Sequence, residues 1–162
     1  MPVGRDAGNA PASPEDLERL ATTITSWAEG ERAASDDVLA VDRLDDPTFG
    51  HRWFVRLRGD EKQVTTVWFH LRQRTLHFET QFMPRPEENR EELFEMLLRL
   101  NARVQQMRFT IGWEEAIYLE GELPIARVDE GTLDQIIGAA YQYTEQWFRP
   151  CMRVGYRSKF RG

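Results

Sequence analysis

After Gly30 the apolar residues stop recurring every three to four positions and begin to recur every second one, and this switch confines the fold more than any other feature. Before it, Leu17, Leu20, Ala21, Ile24, Trp27 and Ala28 form the stripe of an amphipathic helix. Ser13 and Pro14 predict its N-cap and first position, Asp16 completes a capping box, and Gly30 is the expected stop. After it, Val38 to Val41 predict a short strand that ends before the breaker Asp45-Asp46-Pro47. Trp53, Val55 and Leu57 then alternate with Arg52, Phe54, Arg56 and Arg58; Val67, Phe69 and Leu71 with Thr66, Trp68 and His70; Leu76 and Phe78 with His77 and Glu79. Such alternation predicts three antiparallel strands with one face in the core, joined through Gly59 to Gln63 and through Gln73-Arg74.

Pro84-Arg85-Pro86 ends this run, and Glu87, Glu88, Glu91 and Glu92 suit the positive end of a second helix with the stripe Leu93, Met96, Leu97, Leu100 and Val104. Met107, Phe109 and Ile111 predict a fifth strand, and Ile117, Leu119 and Leu123 a sixth, with Tyr118, Glu120 and Glu122 outward. Asp129 caps a last helix whose stripe is Leu133, Ile136, Ile137, Ala140, Thr144, Trp147 and Phe148, and Pro150 is expected to prevent its continuation. The resulting order, α-β-β-β-β-α-β-β-α, groups strands in runs. It predicts the α+β class: an antiparallel sheet with helices mainly on one face.

A length of 162 residues suits one domain, given roughly 100 to 200 residues per domain. We expect a disordered tail over 1–12, a single domain over 13–150 and a basic tail over 151–162. Residues 149–162 hold five of the 21 basic side chains and none of the 27 acidic ones, which leaves 16 basic against 27 acidic, or −11, in residues 1–148. An acidic body is a poor general binder of nucleic acid. The basic tail can dock on its own domain, reach an anionic partner or stay solvated. The single cysteine, Cys151, excludes an internal disulfide framework, and the start lacks the apolar core of a signal peptide, so the expected setting is the cytoplasm. No apolar run approaches the ~20 residues of a membrane span.

Catalytic signatures are missing. Ser13, Ser26, Ser35 and Ser158 fall at a cap, within a helix, in a loop and in a tail, none of them in a G-x-S-x-G elbow. No glycine-rich phosphate loop, dinucleotide fingerprint or H-E-x-x-H occurs. Cys151 is a conceivable reactive thiol if nearby arginines lower its pKa. The acids Glu114, Glu115, Glu120 and Glu122 read as a solvated face. The expectation is a non-enzyme without a cofactor or metal.

Register arithmetic sharpens the outward face. If Leu71 pairs with Leu76 in the core, His70 lies opposite His77 on the other side, an incidental pair unless further ligands join it. If Trp53 pairs with Phe69, Phe54 lies opposite Trp68, flanked by Arg52 and Arg56. Two large aromatics outside the core ask to be covered, by the protein itself or by another molecule. Phe54, Trp68, Arg52 and Arg56 are therefore the candidate partner-binding residues.

The stretch from Leu97-Leu98-Arg99-Leu100-Asn101-Ala102 through Phe109, Ile117-Tyr118-Leu119, Gly121-Glu122-Leu123-Pro124, Leu133-Asp134 and Tyr141 to Trp147-Phe148-Arg149-Pro150 resembles the YbjN family, described as bacterial sensory transduction regulators. The resemblance extends more weakly back to Ser13, and the segment after Pro150 lies outside it. It implies a fold similar to type III secretion chaperones, small α+β proteins that often dimerise and hold partner segments, and it carries no catalytic residues. The leading functional expectation is a non-enzymatic, chaperone-like adaptor or regulator of a signalling or stress process that binds a protein partner, a client segment or a second copy of itself. The alternative is a small-molecule or metal sensor, or an enzyme, with a pocket near His70, His77 and Glu79.

Overall fold

A computed structural model describes residues 10–48 and 50–160. Helix α1 spans Pro14–Ala34, followed by strands β1 (Val38–Arg43), β2 (His51–Arg58), β3 (Val64–Leu71) and β4 (Thr75–Met83). Helix α2 (Arg90–Asn101), strands β5 (Arg108–Ile111) and β6 (Ile117–Pro124) and helix α3 (Glu130–Gly155) complete the chain. The strands form one antiparallel sheet in the order β1-β2-β3-β4-β6-β5. Class and element order are as the alternation predicts. So is the register: Trp53 faces Phe69, Phe54 faces Trp68, Leu71 faces Leu76 and His70 faces His77.

Helices α1 and α3 cover the apolar face. The edge of the Trp27 ring meets Phe69 at 5.5 Å, Trp53 Nε1 donates to Thr25 Oγ1 at 3.0 Å, and Phe148 of α3 packs on Phe82. Trp53, Val55, Val67, Phe69, Leu76 and Phe78 are all buried, each side chain of that size contributing roughly 1.5 to 3 kcal/mol or somewhat more. Helix α2 closes the β5 end of the same face with Leu93, Leu97 and Leu100. No helix of the described residues is long and apolar enough to cross a membrane.

The capping signals act as read. Ser13 and Asp16 form a reciprocal box at α1, and Asp129 with Thr132 does the same at α3. The stop signals do not. Helix α1 runs through Gly30 to Ala34, because an exposed glycine costs a helix only ~1 kcal/mol against alanine. Helix α3 runs through Pro150 to Gly155, which corrects the boundary expected there. Proline in a helix interior costs ~3 kcal/mol, and the buried turn beyond it offsets that. Cys151 is fully buried, and the Gly155 carbonyl accepts the Glu87 and Glu88 amides at 3.1 and 3.0 Å. A Cβ at Gly155 would stand only 3.0 to 3.3 Å from Met83, Pro86 and Leu93.

The described residues of the basic tail beyond Gly155 dock on their own domain, and residues 161–162 lie outside the described residues. Arg157 pairs with Glu92 at 3.0 Å, Lys159 with Glu87 at 2.5 Å, and the Ser158 amide and hydroxyl both donate to Glu88, holding its carboxyl below the usual range. Glu87 and Glu88 thus precede α2 and hold the tail, while Asn89 takes a left-handed conformation at the helix start. At the other end, the Ala12 amide donates to the Gln73 carbonyl at 2.7 Å. Residues 1–9 of the expected tail lie outside the described residues.

One clip ties α3 to the β2–β3 hairpin. The Glu145 carboxylate accepts the amides of Asp60, Glu61 and Lys62 at 3.1, 2.6 and 3.5 Å, and Arg149 meets Glu61 at 2.6 Å. Gly59 makes this approach feasible, for a Cβ there would lie 2.1 Å from a Glu145 oxygen.

Candidate functional site

Alternation sends Arg52, Phe54, Trp68, His70, His77, Glu79, Tyr118 and Glu120 to the sheet face opposite the helices. At its β2–β3 end the Phe54 and Trp68 rings are half-buried and meet at 5.3 Å. The Arg52 guanidinium stands 4.7 Å over Trp68 and the Arg56 guanidinium 5.1 Å from Phe54. The expected cover for these rings therefore comes in part from Arg52 and Arg56 of β2, each contact worth ~0.5 to 1 kcal/mol. All four residues expected to bind a partner lie together in one array of alternating cation and ring. Such an array suits a segment that is apolar and acidic.

Toward β4 and β6 the chemistry changes. His70 and His77 are opposite one another with ring centroids 5.7 Å apart. His70 Nε2 lies 3.8 Å from Glu79 Oε1, and His77 Nε2 lies 3.7 Å from Glu120 Oε2. Burial first, then the Arg52 charge, pushes the His70 imidazole down to about 4, so it is neutral at physiological pH. Glu120, expected on a solvated face, is half-buried beside His77, whereas Glu122, Glu114 and Glu115 are exposed as read. Cys151 leaves the list of reactive groups: it is inaccessible, and burial pushes its thiol up to about 12.

A second surface escaped the sequence reading. Leu98, Ile111 and Trp113 are 71%, 51% and 76% exposed. Leu98 and Ile111 line a groove of about 340 Å³ with Phe94, Leu97, Phe109 and Ile117. Trp113 follows within a turn whose next two residues, Glu114 and Glu115, both have left-handed backbones at φ 55° and 60°. Non-glycine residues there are strained by ~1 to 3 kcal/mol each. The signal for Leu98 was present: it directly follows Leu97, off the 93-97-100 stripe. Ile111 was expected inside, but the strand ends at that residue.

Asn101 governs this edge. Its side-chain amide donates to the Phe109 carbonyl at 3.2 Å and its Oδ1 accepts the Phe109 amide at 2.6 Å. These bonds occupy the outward backbone groups in the middle of edge strand β5, so another strand cannot pair there. They give the Leu-Leu-x-Leu-Asn helix end a physical role.

Similar proteins place this geometry. A chain of the HopA1–SchA chaperone–effector complex matches 85% of this chain and 98% of its own length, with a TM-score of 0.54 and 11% identity. A chain of the ExsC–ExsE complex matches with a TM-score of 0.54 and 17% identity over 80% of this chain and 94% of its own, and one from the ExoU–SpcU complex of the Pseudomonas aeruginosa type III secretion system with 0.52 and 12% over 79% and 96%. The shared feature is the fold. In sequence, an uncharacterised protein of Mycobacterium leprae is 28% identical over 107 residues, 66% of this chain and 58% of the relative; one of Mycobacterium tuberculosis is 27% identical over 104 residues, 64% of this chain and 57% of the relative. This chain thus spans under two thirds of the curated relatives it matches. The family model described as "YbjN: Putative bacterial sensory transduction regulator" matches residues 31–152, the greater part of the chain, and the chain belongs to the YbjN family.

Proposed function

We propose that this protein is a non-enzymatic binding module of the cytoplasm, a chaperone-like adaptor or regulator in a bacterial signalling or stress process. The observation that carries the reading is the exposure of Leu98, Ile111 and Trp113 beside an apolar groove at the sheet edge. Exposed apolar side chains of this size, grouped and rimmed by charge, mark protein interaction sites. The edge takes a second copy of the chain through side-chain packing, since Asn101 has already closed the central β5 backbone. The free sheet face, with Phe54, Trp68, Arg52 and Arg56, takes the partner segment. The neighbours in chaperone–effector and related complexes support a protein partner by analogy of fold.

Two measurements separate the surfaces. Light scattering on the purified chain is expected to give a dimer, converted to monomer by Leu98→Glu with Trp113→Ala. Capture of partners from a native bacterial lysate is expected to survive that change and to be lost on Phe54→Ala with Trp68→Ala in a variant that folds by circular dichroism. A monomeric wild type sinks the edge assignment, and unchanged capture by the folded aromatic variant sinks the face assignment.

A further inference from the structure

The β3-β4-β6 part of the open face gathers more ligating atoms than structure requires. One ligand atom each from His77, Glu79 and Glu120 lies within 4.8 Å of the others. The topology explains why. His77 and Glu79 share the outward side of β4 two residues apart, and Glu120 sits opposite Glu79 across the β4–β6 ladder. His70, opposite His77, brings a second imidazole from β3.

These groups sit close together without bonding to each other. The separations of 3.7 and 3.8 Å between imidazole Nε2 and carboxylate oxygen are too long for hydrogen bonds. They are near the roughly 3.4 Å between ligand atoms that share one tetrahedral zinc ion at bonds of about 2.1 Å. His70 Nε2 and His77 Nδ1 are buried atoms with no hydrogen-bond partner, which ordinarily costs ~1 to 3 kcal/mol each. The four side chains are only 14% to 28% exposed, so the protein holds them rather than leaving them to solvent. Arg108 reaches Glu120 through Oε1 at 3.8 Å and leaves Oε2 turned to His77.

We infer that His77, Glu79 and Glu120 form a binding site for one divalent transition-metal ion of the zinc type on the open sheet face, with His70 placed beside Glu79. An imidazole with two carboxylates is a mixed nitrogen and oxygen set that suits zinc better than calcium or magnesium, and its two carboxylates balance the charge of the ion. The inference stands apart from the partner-binding proposal, since it depends on neither Phe54 and Trp68 nor the edge.

The test is a Zn²⁺ titration of the full chain, freed of metal with a chelator, against a chromophoric competitor, with metal content after desalting as a second readout. One equivalent is expected, and His77→Gln and Glu120→Gln should each weaken binding at least tenfold. His51→Gln is the control, because His51 lies outside the cluster, against Asp45 at 3.2 Å, and should change affinity less than twofold. Circular dichroism without metal confirms folding; if His77→Gln fails that check, Glu120→Gln carries the test. Absence of saturable binding in the wild type overturns the inference. So does equal affinity in the cluster variants, or a loss that follows His51.

Discussion

The two faces of the sheet come from the same alternating strands and end with opposite chemistry. Beneath α1 and α3, Trp53, Val55, Val67, Phe69 and Phe78 are at most 1% exposed, and the Trp27 ring of α1 meets that of Phe69. On the other side, no helix of the described residues arrives; Phe54 and Trp68 are shielded by Arg56 and Arg52 of β2, and the imidazoles keep unpartnered nitrogens. The first face is completed by the chain itself. The second is left open by the described residues.

That contrast can be broken by experiment. Phe69→Ala should cost about 3 to 5 kcal/mol in chemical denaturation and Trp68→Ala only about 1 kcal/mol, although the two are neighbours in sequence. Equal costs would mean that both faces are core. Gly155→Val, which pushes a side chain against Met83 and Leu93 under the far end of α3, should cost about 1 to 3 kcal/mol by overpacking. A neutral result would mean that the turn beyond Pro150 is not part of the covered layer.

The smallest effect concerns a charge on the covered side. Lys62 donates to the Gln81 carbonyl and stands 5.7 Å from the Phe148 ring, and burial pushes its ammonium down to about 8. An unfolded lysine titrates near 10.5, so between these values the unfolded chain holds a proton that the native one has released, and stability rises with pH. Cys151 acts in the opposite direction above about pH 9, because its native thiol keeps a proton that the unfolded one loses. The window is therefore pH 8 to 9, with a gain of up to about 1 kcal/mol in the wild type and none in Lys62→Met. A wild type whose stability is flat there would place Lys62 in solvent.

What could be read in advance follows the range of the interactions. His70 opposite His77 and Phe54 opposite Trp68 were legible because each pair sits in one hairpin, where counting fixes the register. Glu120 beside His77 was not, because β6 returns to β4 only after α2 and β5, and nothing local specifies that pairing. Gly30 and Pro150 misled for a related reason: each is a local penalty of ~1 to 3 kcal/mol that tertiary packing outweighs. Trp113 was passed over because a periodicity search keeps residues that fit a stripe and discards the ones left outside, which are those a partner would touch.

The clip between Glu145 and the β2–β3 loop has a consequence for hydrogen exchange. Loop amides near the surface normally exchange within a fast local opening. Here the amides of Asp60 and Glu61 are held by a carboxylate from α3, so they should exchange only when that helix lifts from the sheet. Their protection factors, raised above those of the β3–β4 turn and collapsing in Glu145→Ala, would report from a hairpin tip on the opening of the helical layer over the covered face.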